Sequence, residues 1–466
     1  MDGSTYGTAV AAVNGSGLTV RDCVIDNFPQ SGISVTDHTD FQITNNVITN
    51  ILPVINATST APQQAIAGIN VENASDDGLI SGNTIETVGR PGAGAPALGT
   101  LGNGIRVIVQ DGSSDIAKRL RIVDNRVSDI ALHGILMYWA GGGTSEGSII
   151  ANNIIRDTGL TSNISRDGDT DTTEGRGNGI YLLQVSGVDV ADNYILRPCK
   201  NTSIGSGVTD ILEAGIVTVP NAIAPIDPVT VTGNIIKDAG LDGIAAQGSD
   251  HLVIASNVVD GVGKSTGTLG TPHNGISVTN SDNVAITSNT IEPGTIHRGI
   301  RLSYSAASSY ATNNNYASVG NNTIRSALYG VYAIEVVSGT ISGNTFADCA
   351  TAGMYVNACK NLAVSGNTVT TASDATIAIH TAGTNVDCTV ESNSIPARDS
   401  YAQPFVDNSG TGVRVVVYGT AAATQGIWAI GDVINNTAPS AGGNIGWVCT
   451  EAGSPGIWKT FGDISA

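Results

Sequence analysis

Short runs in which apolar and polar residues alternate fill most of the chain. In GIRVIV (residues 104–109), Ile105 and Val107 fall on one face, Arg106 and Ile108 on the other. In GISVTN (residues 275–280), Ile276 and Val278 alternate with Ser277 and Thr279. A period of two belongs to the β-strand. These runs open with Gly and an apolar residue. Upstream of most of them stands a second short run built on Asn: ISGNTIETV from Ile80, VADNYILRP from Val190, IASNVVDGV from Ile254, ITSNTIEPG from Ile286 and VSGNTVTTA from Val364. The pattern predicts many short strands joined by tight turns and no long helix.

The Asn of these runs forms one column: Asn46, Asn83, Asn125, Asn153, Asn193, Asn234, Asn257, Asn289, Asn322, Asn344, Asn367 and Asn393, with Cys23 in the same place in an earlier copy. The shortest spacing is about that of Asn234 to Asn257, and longer ones read as the same unit carrying an inserted loop. A unit this short cannot bury its apolar face alone, but stacked on its neighbours it can. The expectation is a solenoid whose inward side chains stack from coil to coil. The Asn column would sit at one turn, where Asn tolerates left-handed backbone and bonds to its counterparts above and below.

This S/D/N-N-x-I…G-I coil pattern resembles the right-handed parallel β-helix of the pectate-lyase-like superfamily, over about residues 8–400. The resemblance implies an all-β fold, a right-handed parallel β-helix of about thirteen coils (the twelve Asn and Cys23). It does not fix a function, since the fold hosts lyases, hydrolases, epimerases and binding spikes. Past Thr411 the texture changes. Trp428, Gly431, Asp432, Asn435, Pro439, Gly446, Trp447, Cys449, Gly453, Pro455, Trp458 and Phe461 resemble a short C-terminal module of phage tail spikes and related bacterial β-helix proteins. The expected division is 1–404 for the β-helix, with loop insertions that form a groove, and 405–466 for a module that caps the solenoid or promotes a homotrimer. A glycan site on its Trp residues is the lesser alternative.

The insertions fall in two sets. One lies between the Asn strand and the next Gly-Ile strand, at 53–67, 89–102, 157–177, 198–213 and 263–273. The other follows the Gly-Ile strand, at 110–118, 140–147, 220–227 and 305–316. Loops that leave the same turn of successive coils line up, so the two sets predict two walls flanking one sheet. The resulting groove should centre between about 100 and 335 and suit a chain-like ligand. Coils 344–400, with short turns and few charges, read as scaffold.

Composition narrows the partners. The 466 residues carry 40 acidic and 21 basic side chains, a net charge of −19. That excess argues against nucleic acid and against an anionic membrane surface. No apolar run approaches the roughly 20 residues of a spanning helix. The N-terminal MDGSTYGTAVAAV lacks a basic segment followed by an apolar core and does not read as a signal peptide. It enters the repeat almost at once, as a chain cut from a longer one would. The six Cys lie far apart without a CxxC pair and read as small buried thiols. An extracellular or virion-associated setting follows from the tail-spike resemblance.

Candidate chemistry lies on the Gly-Ile strands. Outward positions include Arg106, Tyr138, Tyr181, Gln247, Arg301, Ser303 and Tyr332. Before each Gly or one place earlier come Asn103, His133, Asn178, Glu213, Asp242, His273, Asn274, His297 and Arg298. Glu213 and Asp242 precede GIVTVP and GIAAQG on adjacent coils. Two carboxylates a few ångströms apart can divide into an acid and a base or nucleophile. A solvated or turn-capping pair is the plainer alternative. The insertion SRDGDTDTTEGRGNG offers Asp167, Asp169, Asp171 and Glu174. Asp171 or Glu174 would supply a further catalytic acid, or Asp167, Asp169 and Asp171 would hold Ca²⁺. The EF-hand spacing is absent and a solvated loop is the commonest fate of such runs. Tyr138, Trp139, Tyr181, Tyr304 and Tyr332 are candidates for stacking on sugar rings. Arg106, His133, Gln247, His297, Arg298 and Arg301 are candidates for substrate binding.

The leading expectation is a glycoside hydrolase acting on a capsular or exopolysaccharide through Glu213 and Asp242, with no required cofactor and Ca²⁺ optional. The alternatives are a lyase or epimerase of a uronic-acid polymer using Arg301, His297 and Tyr304, and a spike or adhesin that holds glycan without cutting it. The scarcity of Arg and Lys tilts the choice toward hydrolysis.

Overall fold

The computed structural model describes residues 7–52, 66–89, 102–109, 117–160, 177–200, 213–219, 228–264, 272–304, 315–370, 377–395 and 406–466. They are all strand, turn and coil, and none is helical. The chain divides into two compact units. One holds Met1–Val253 and Asn257–Thr271, the other Ile254–Ser256, Pro272–Ala307 and Ala311–Ala466.

Both units are parallel β-helical. In the first, Ser31–Thr39, Ile66–Glu72, Gly102–Val109, Ile135–Ala151, Ile180–Ala191, Ala214–Val219 and Asp242–Gln247 pair in parallel from coil to coil. Their register stacks Ile33, Ile69, Ile105, Ile135, Ile180, Ile216 and Ile244, all fully buried. In the second, Asn274–Thr279, Gly294–Ser303, Ala327–Ile334, Ala352–Asn357, Ile377–Ala382 and Val406–Asn408 do the same, with Ile276, Ile300, Val331, Met354, Ile379 and Val406 inward. Alternate residues of every strand therefore face out, as the period of two requires.

The Gly that opens these strands is explained by packing. A Cβ on Gly299 would lie 2.4 Å from Ile324 Cγ2 and 2.5 Å from the Gly330 carbonyl oxygen, so any larger residue would push the coils apart. The Asn column is a ladder. In the first unit the backbone N–H and the side-chain amide of Asn46 both donate to Asn83 Oδ1, and the pattern repeats through Asn125, Asn153, Asn193, Asn234 and Asn257. In the second it runs from Asn289 through Asn322, Asn344 and Asn367 to Asn393. Cys23 N–H donates to Asn46 Oδ1 at 3.1 Å, so it does hold the Asn place.

Three expectations change. The left-handed residue is not the column Asn but the one before it, such as Asn45 (φ 57°), Asp124 (58°), Asn152 (56°), Gly233 (67°) and Gly343 (68°). That residue turns the chain and leaves the column Asn free to point inward. Residues 140–147, expected as a loop, lie inside Ile135–Ala151 and pair with Ile180–Ala191 across two register shifts. Cys23 is exposed, whereas Cys199, Cys349, Cys359, Cys388 and Cys449 are buried; all six are free.

Parallel pairing also continues past residue 404: Val406–Asn408 pairs with Ile377–Ala382, and Thr411–Gly419 with Thr384–Glu391. Val433–Asn436 then adds in parallel to Thr411–Gly419, and from it Asn444–Glu451 and Ile457–Asp463 follow as an antiparallel meander. Asp432, 1% exposed, fastens the meander to the last coil. Its carboxylate accepts from Asn408 Nδ2 at 2.9 Å, Val415 N–H at 2.9 Å and Ala429 N–H at 2.8 Å. Trp428 and Trp458 meet edge to face at 5.1 Å, and each indole donates to a backbone carbonyl. Trp428 is 1% exposed, which removes it as a sugar platform.

Candidate functional site

In the first unit most of the candidate residues serve packing. Tyr181 is 2% exposed and lies in an apolar cluster with Leu183, Val217, Val219 and Ala245, against which Tyr138 packs. That cluster is on the outward side of the sheet, so the outward face around Tyr181 is apolar. Trp139 pairs with Val109, shares the inward parity of Met137, and is buried. It is a core residue and offers no face to a sugar. Gln247 is half-buried at the end of its strand.

His133 is fully buried. Its Nδ1 accepts from the Asn178 N–H at 3.1 Å, its ring lies 5.0 Å from Tyr181, and burial pushes its pKa down to about 3. It is a neutral structural imidazole. Arg106 is held by Glu72 at 3.2 Å and by Asn70 Oδ1 at 2.8 Å, an ion pair built into the sheet.

Glu213 and Asp242 lie on adjacent coils, as their spacing predicted. The Asp242 N–H donates to the Glu213 carbonyl at 3.2 Å. Burial, then the charges of Glu213 and Asp242, raise the Cys199 thiol well above its ordinary range. Glu213 is only 2% exposed, and both of its carboxylate oxygens are shielded from solvent. Asp242 is half-buried. Asp167, Asp169, Asp171 and Glu174 lie outside the described residues, as do most positions of the two expected walls. Among the described residues no group of three or more His, Cys, Asp or Glu is placed to hold a metal ion.

The second unit carries a different surface. Strand register sets Ser277, Arg301, Tyr332, Tyr355, His380 and Asp407 in one outward row. Tyr332 and Tyr355 stack with centroids 4.6 Å apart and planes 8° from parallel. Tyr329 leans on both, at 5.0 and 5.5 Å. The Arg298 guanidinium carbon sits 4.3 Å over the Tyr332 ring, a cation–π contact. The His380 ring stands across Tyr355 at 4.9 Å and 87°, and its Nε2 lies 3.6 Å from Asp407 Oδ2. Burial first, then neighbouring phenols, hold Tyr329 and Tyr355 above the ordinary tyrosine pKa.

Arg301 differs from the other cations of this row. Among the described residues it has no ion pair and no hydrogen bond, and its Nε is shielded from solvent. A shielded guanidinium donor without an acceptor is costly unless a ligand supplies one. His297 is 7% exposed and lies behind the row, its Nδ1 accepting from the His273 N–H at 3.1 Å. Burial and the Arg298 charge hold His273 below the usual histidine range. Ser303 is buried and bonded to Thr279 Oγ1 at 3.2 Å. Tyr304, just past the strand, is half-buried.

Tyr355 and His380 were missed because residues 344–400 read as scaffold from their short turns and few charges; Tyr329 stands one place before its Gly and Asp407 falls past the expected end of the β-helix, and neither was a candidate. A signal was present. YGVYAI and AGMYVN both place Tyr two residues after Gly, and Tyr332, Tyr355 and His380 recur at intervals of 23 and 25 residues.

A family model described as "Right handed beta helix region" matches residues 5–217, 214–395 and 305–423. No curated protein matches the chain. Among solved structures the chain is similar to the Azotobacter vinelandii mannuronan C-5 epimerase AlgE4 A-module, at 11% identity over 88% of this chain and 91% of that one, TM-score 0.39. It is similar to the Streptococcus pneumoniae surface protein and adhesin PfbA, at 12% identity over 87% and 91%, TM-score 0.39. It is also similar to the Dettilon tailspike protein, at 16% identity over 82% and 59%, TM-score 0.36.

Proposed function

The chain belongs to the right-handed β-helix family, and from that premise we propose that the outward row Ser277–Arg301–Tyr332–Tyr355–His380–Asp407 binds an acidic polysaccharide and acts on it by proton transfer beside the sugar carboxylate. The observation that carries this reading is Arg301. Its guanidinium, unpaired among the described residues, stands in register with Tyr332 on a surface that also holds Arg298. A guanidinium matches a carboxylate in a bidentate pair.

The chemistry follows from charge. Removing the proton α to a uronate carboxylate places negative charge on that carboxylate, and Arg301 would offset it. Arg298 over the Tyr332 ring would stabilise charge developing on a phenol oxygen beside it. The Tyr355 phenol, raised by burial, stays protonated at neutral pH and is fit to give a proton back. The His380 imidazole, beside Tyr355 in the row, would accept the α-proton. From the common carbanion, loss of the glycosidic oxygen with its bonding electrons, protonated by the Tyr355 phenol, gives elimination, whereas donation of the Tyr355 proton to the opposite face of the same carbon gives epimerisation.

Hydrolysis by Glu213 and Asp242 would need both carboxyls at the scissile bond, and Glu213 is 2% exposed. This burial, with the presence of both Arg298 and Arg301 on one surface, outweighs the scarcity of cations over the whole chain. The test is a comparison of polygalacturonate, alginate and hyaluronan with neutral dextran, reading binding, reducing ends and the ultraviolet absorbance of unsaturated uronate. Binding of an acidic polymer, with unsaturated product or altered sugar composition, is expected. Cleavage of a neutral polymer that is lost in Glu213→Gln would overturn the reading.

A further inference from the structure

Resting on that reading, we infer that Tyr332 and Tyr355 meet the glycan through their phenolic hydroxyls and not through their ring faces. Aromatic residues on a sugar-binding surface are usually taken as platforms, and Tyr332 is a stacking candidate on that ground. Here the faces are already used. One face of Tyr332 is covered by Tyr355 at 4.6 Å, and the coil on the other side brings Arg298 to 4.3 Å. Tyr355 has Tyr332 on one face and His380, at 4.9 Å, on the next coil beyond it. Tyr329 leans against both rings.

The rings are thus packed along the row like plates on edge. Side chains stand away from a sheet, so the part of each phenol farthest from the strand is its hydroxyl. Among the described residues neither hydroxyl makes a hydrogen bond. A ligand laid across the row would find two hydroxyls on adjacent coils, beside the Arg301 guanidinium, and no open aromatic face. Such a rim favours ligands rich in hydroxyl and carboxylate acceptors and gives little to apolar sugar faces.

The experiment compares Tyr332→Phe and Tyr355→Phe with the wild-type protein, using isothermal titration with polygalacturonate, alginate and hyaluronan oligomers as probes. Phe keeps the stack and removes only the hydroxyl. Each substitution is expected to weaken binding about five- to tenfold, the loss of one hydrogen bond. Unchanged affinity in both Phe variants would overturn the inference and return the rings to a platform role. In parallel, O-acetylation by N-acetylimidazole is mapped by mass spectrometry; Tyr332 and Tyr355 should be modified, and saturating oligomer should protect them. Should no acidic oligomer bind the wild-type protein, the acidic-glycan reading falls. The labelling then decides the inference alone: acetylation of both tyrosines supports presented hydroxyls, and their inertness overturns it.

Discussion

His133 shows how burial decides what a residue does. The sequence places a histidine just before a Gly-Ile strand, where a sugar-binding or proton-transfer role is natural. In the fold it is enclosed, accepts one backbone hydrogen bond, and holds its proton only below about pH 3. The unfolded chain protonates the same imidazole near its ordinary value of 6.5. Stability from this residue is therefore complete above pH 6.5 and is lost as pH falls toward 3. Between pH 7.5 and 4.5 the loss should be about 2–3 kcal/mol. Urea midpoints at the two pH values should show a smaller drop in His133→Asn than in the wild-type protein; an equal drop would contradict this account. Arg301 is the opposite case. It was legible as a candidate because Arg is scarce in the chain, yet nothing in the sequence distinguishes it from Arg106, which Glu72 and Asn70 hold. Which cation is already paired depends on the neighbouring coils. Arg301→Gln should cost roughly ten- to a hundredfold in affinity for acidic glycan. It should not lower the melting temperature, because no internal ion pair is broken and a shielded unmet donor is removed.

At the scale of the element, the repeat was the most legible feature. Spacing, alternation and the Asn column lead directly to stacked coils, because a ladder that repeats one side chain must repeat it in sequence. The position of the left-handed residue was less legible. The residue before the column is Asn, Asp, Ser or Gly in different coils, and the pattern reads as one polar pair until backbone angles separate the roles. Asn344 measures the ladder. It donates to Asn367 Oδ1 and the Val319 carbonyl and accepts from the Asn322 N–H and side chain. Asn344→Ala would keep the backbone N–H on Asn367 Oδ1 but remove the side-chain bonds to Val319 and from Asn322, and should cost about 2–4 kcal/mol of unfolding free energy in denaturant titrations. A cost under about 1 kcal/mol would mean that water or relaxation replaces the ladder. The aromatic row was hidden at this scale because it belongs to no single strand. Each Tyr is ordinary in its own coil, and only register brings Tyr332, Tyr355 and His380 together.

For the molecule as a whole, the sequence texture changes past Thr411, and the expected division falls at residue 404. The pairing of Val406–Asn408 and Thr411–Gly419 with preceding coils carries the parallel ladder further, and the buried Asp432 carboxylate fastens the antiparallel meander to the last of them. Asp432→Ala should speed hydrogen exchange in Thr411–Gly419 and Val433–Asn436 before it affects the coils that carry Arg301 and Tyr332; uniform acceleration would argue against a local fastening. The aspect of function least legible in the sequence was the choice between carboxylate and arginine chemistry, since both groups lie on suitable strands and only their burial and pairing separate them. The most direct measurement is the affinity of the wild-type protein and of Arg301→Gln for polygalacturonate, alginate and hyaluronan, against dextran, at one ionic strength. The wild-type protein should bind an acidic polymer and not dextran, and Arg301→Gln should lose most of that binding while staying folded. Equal binding by both proteins, or a preference for dextran, would contradict the assignment of Arg301 as the carboxylate-binding group.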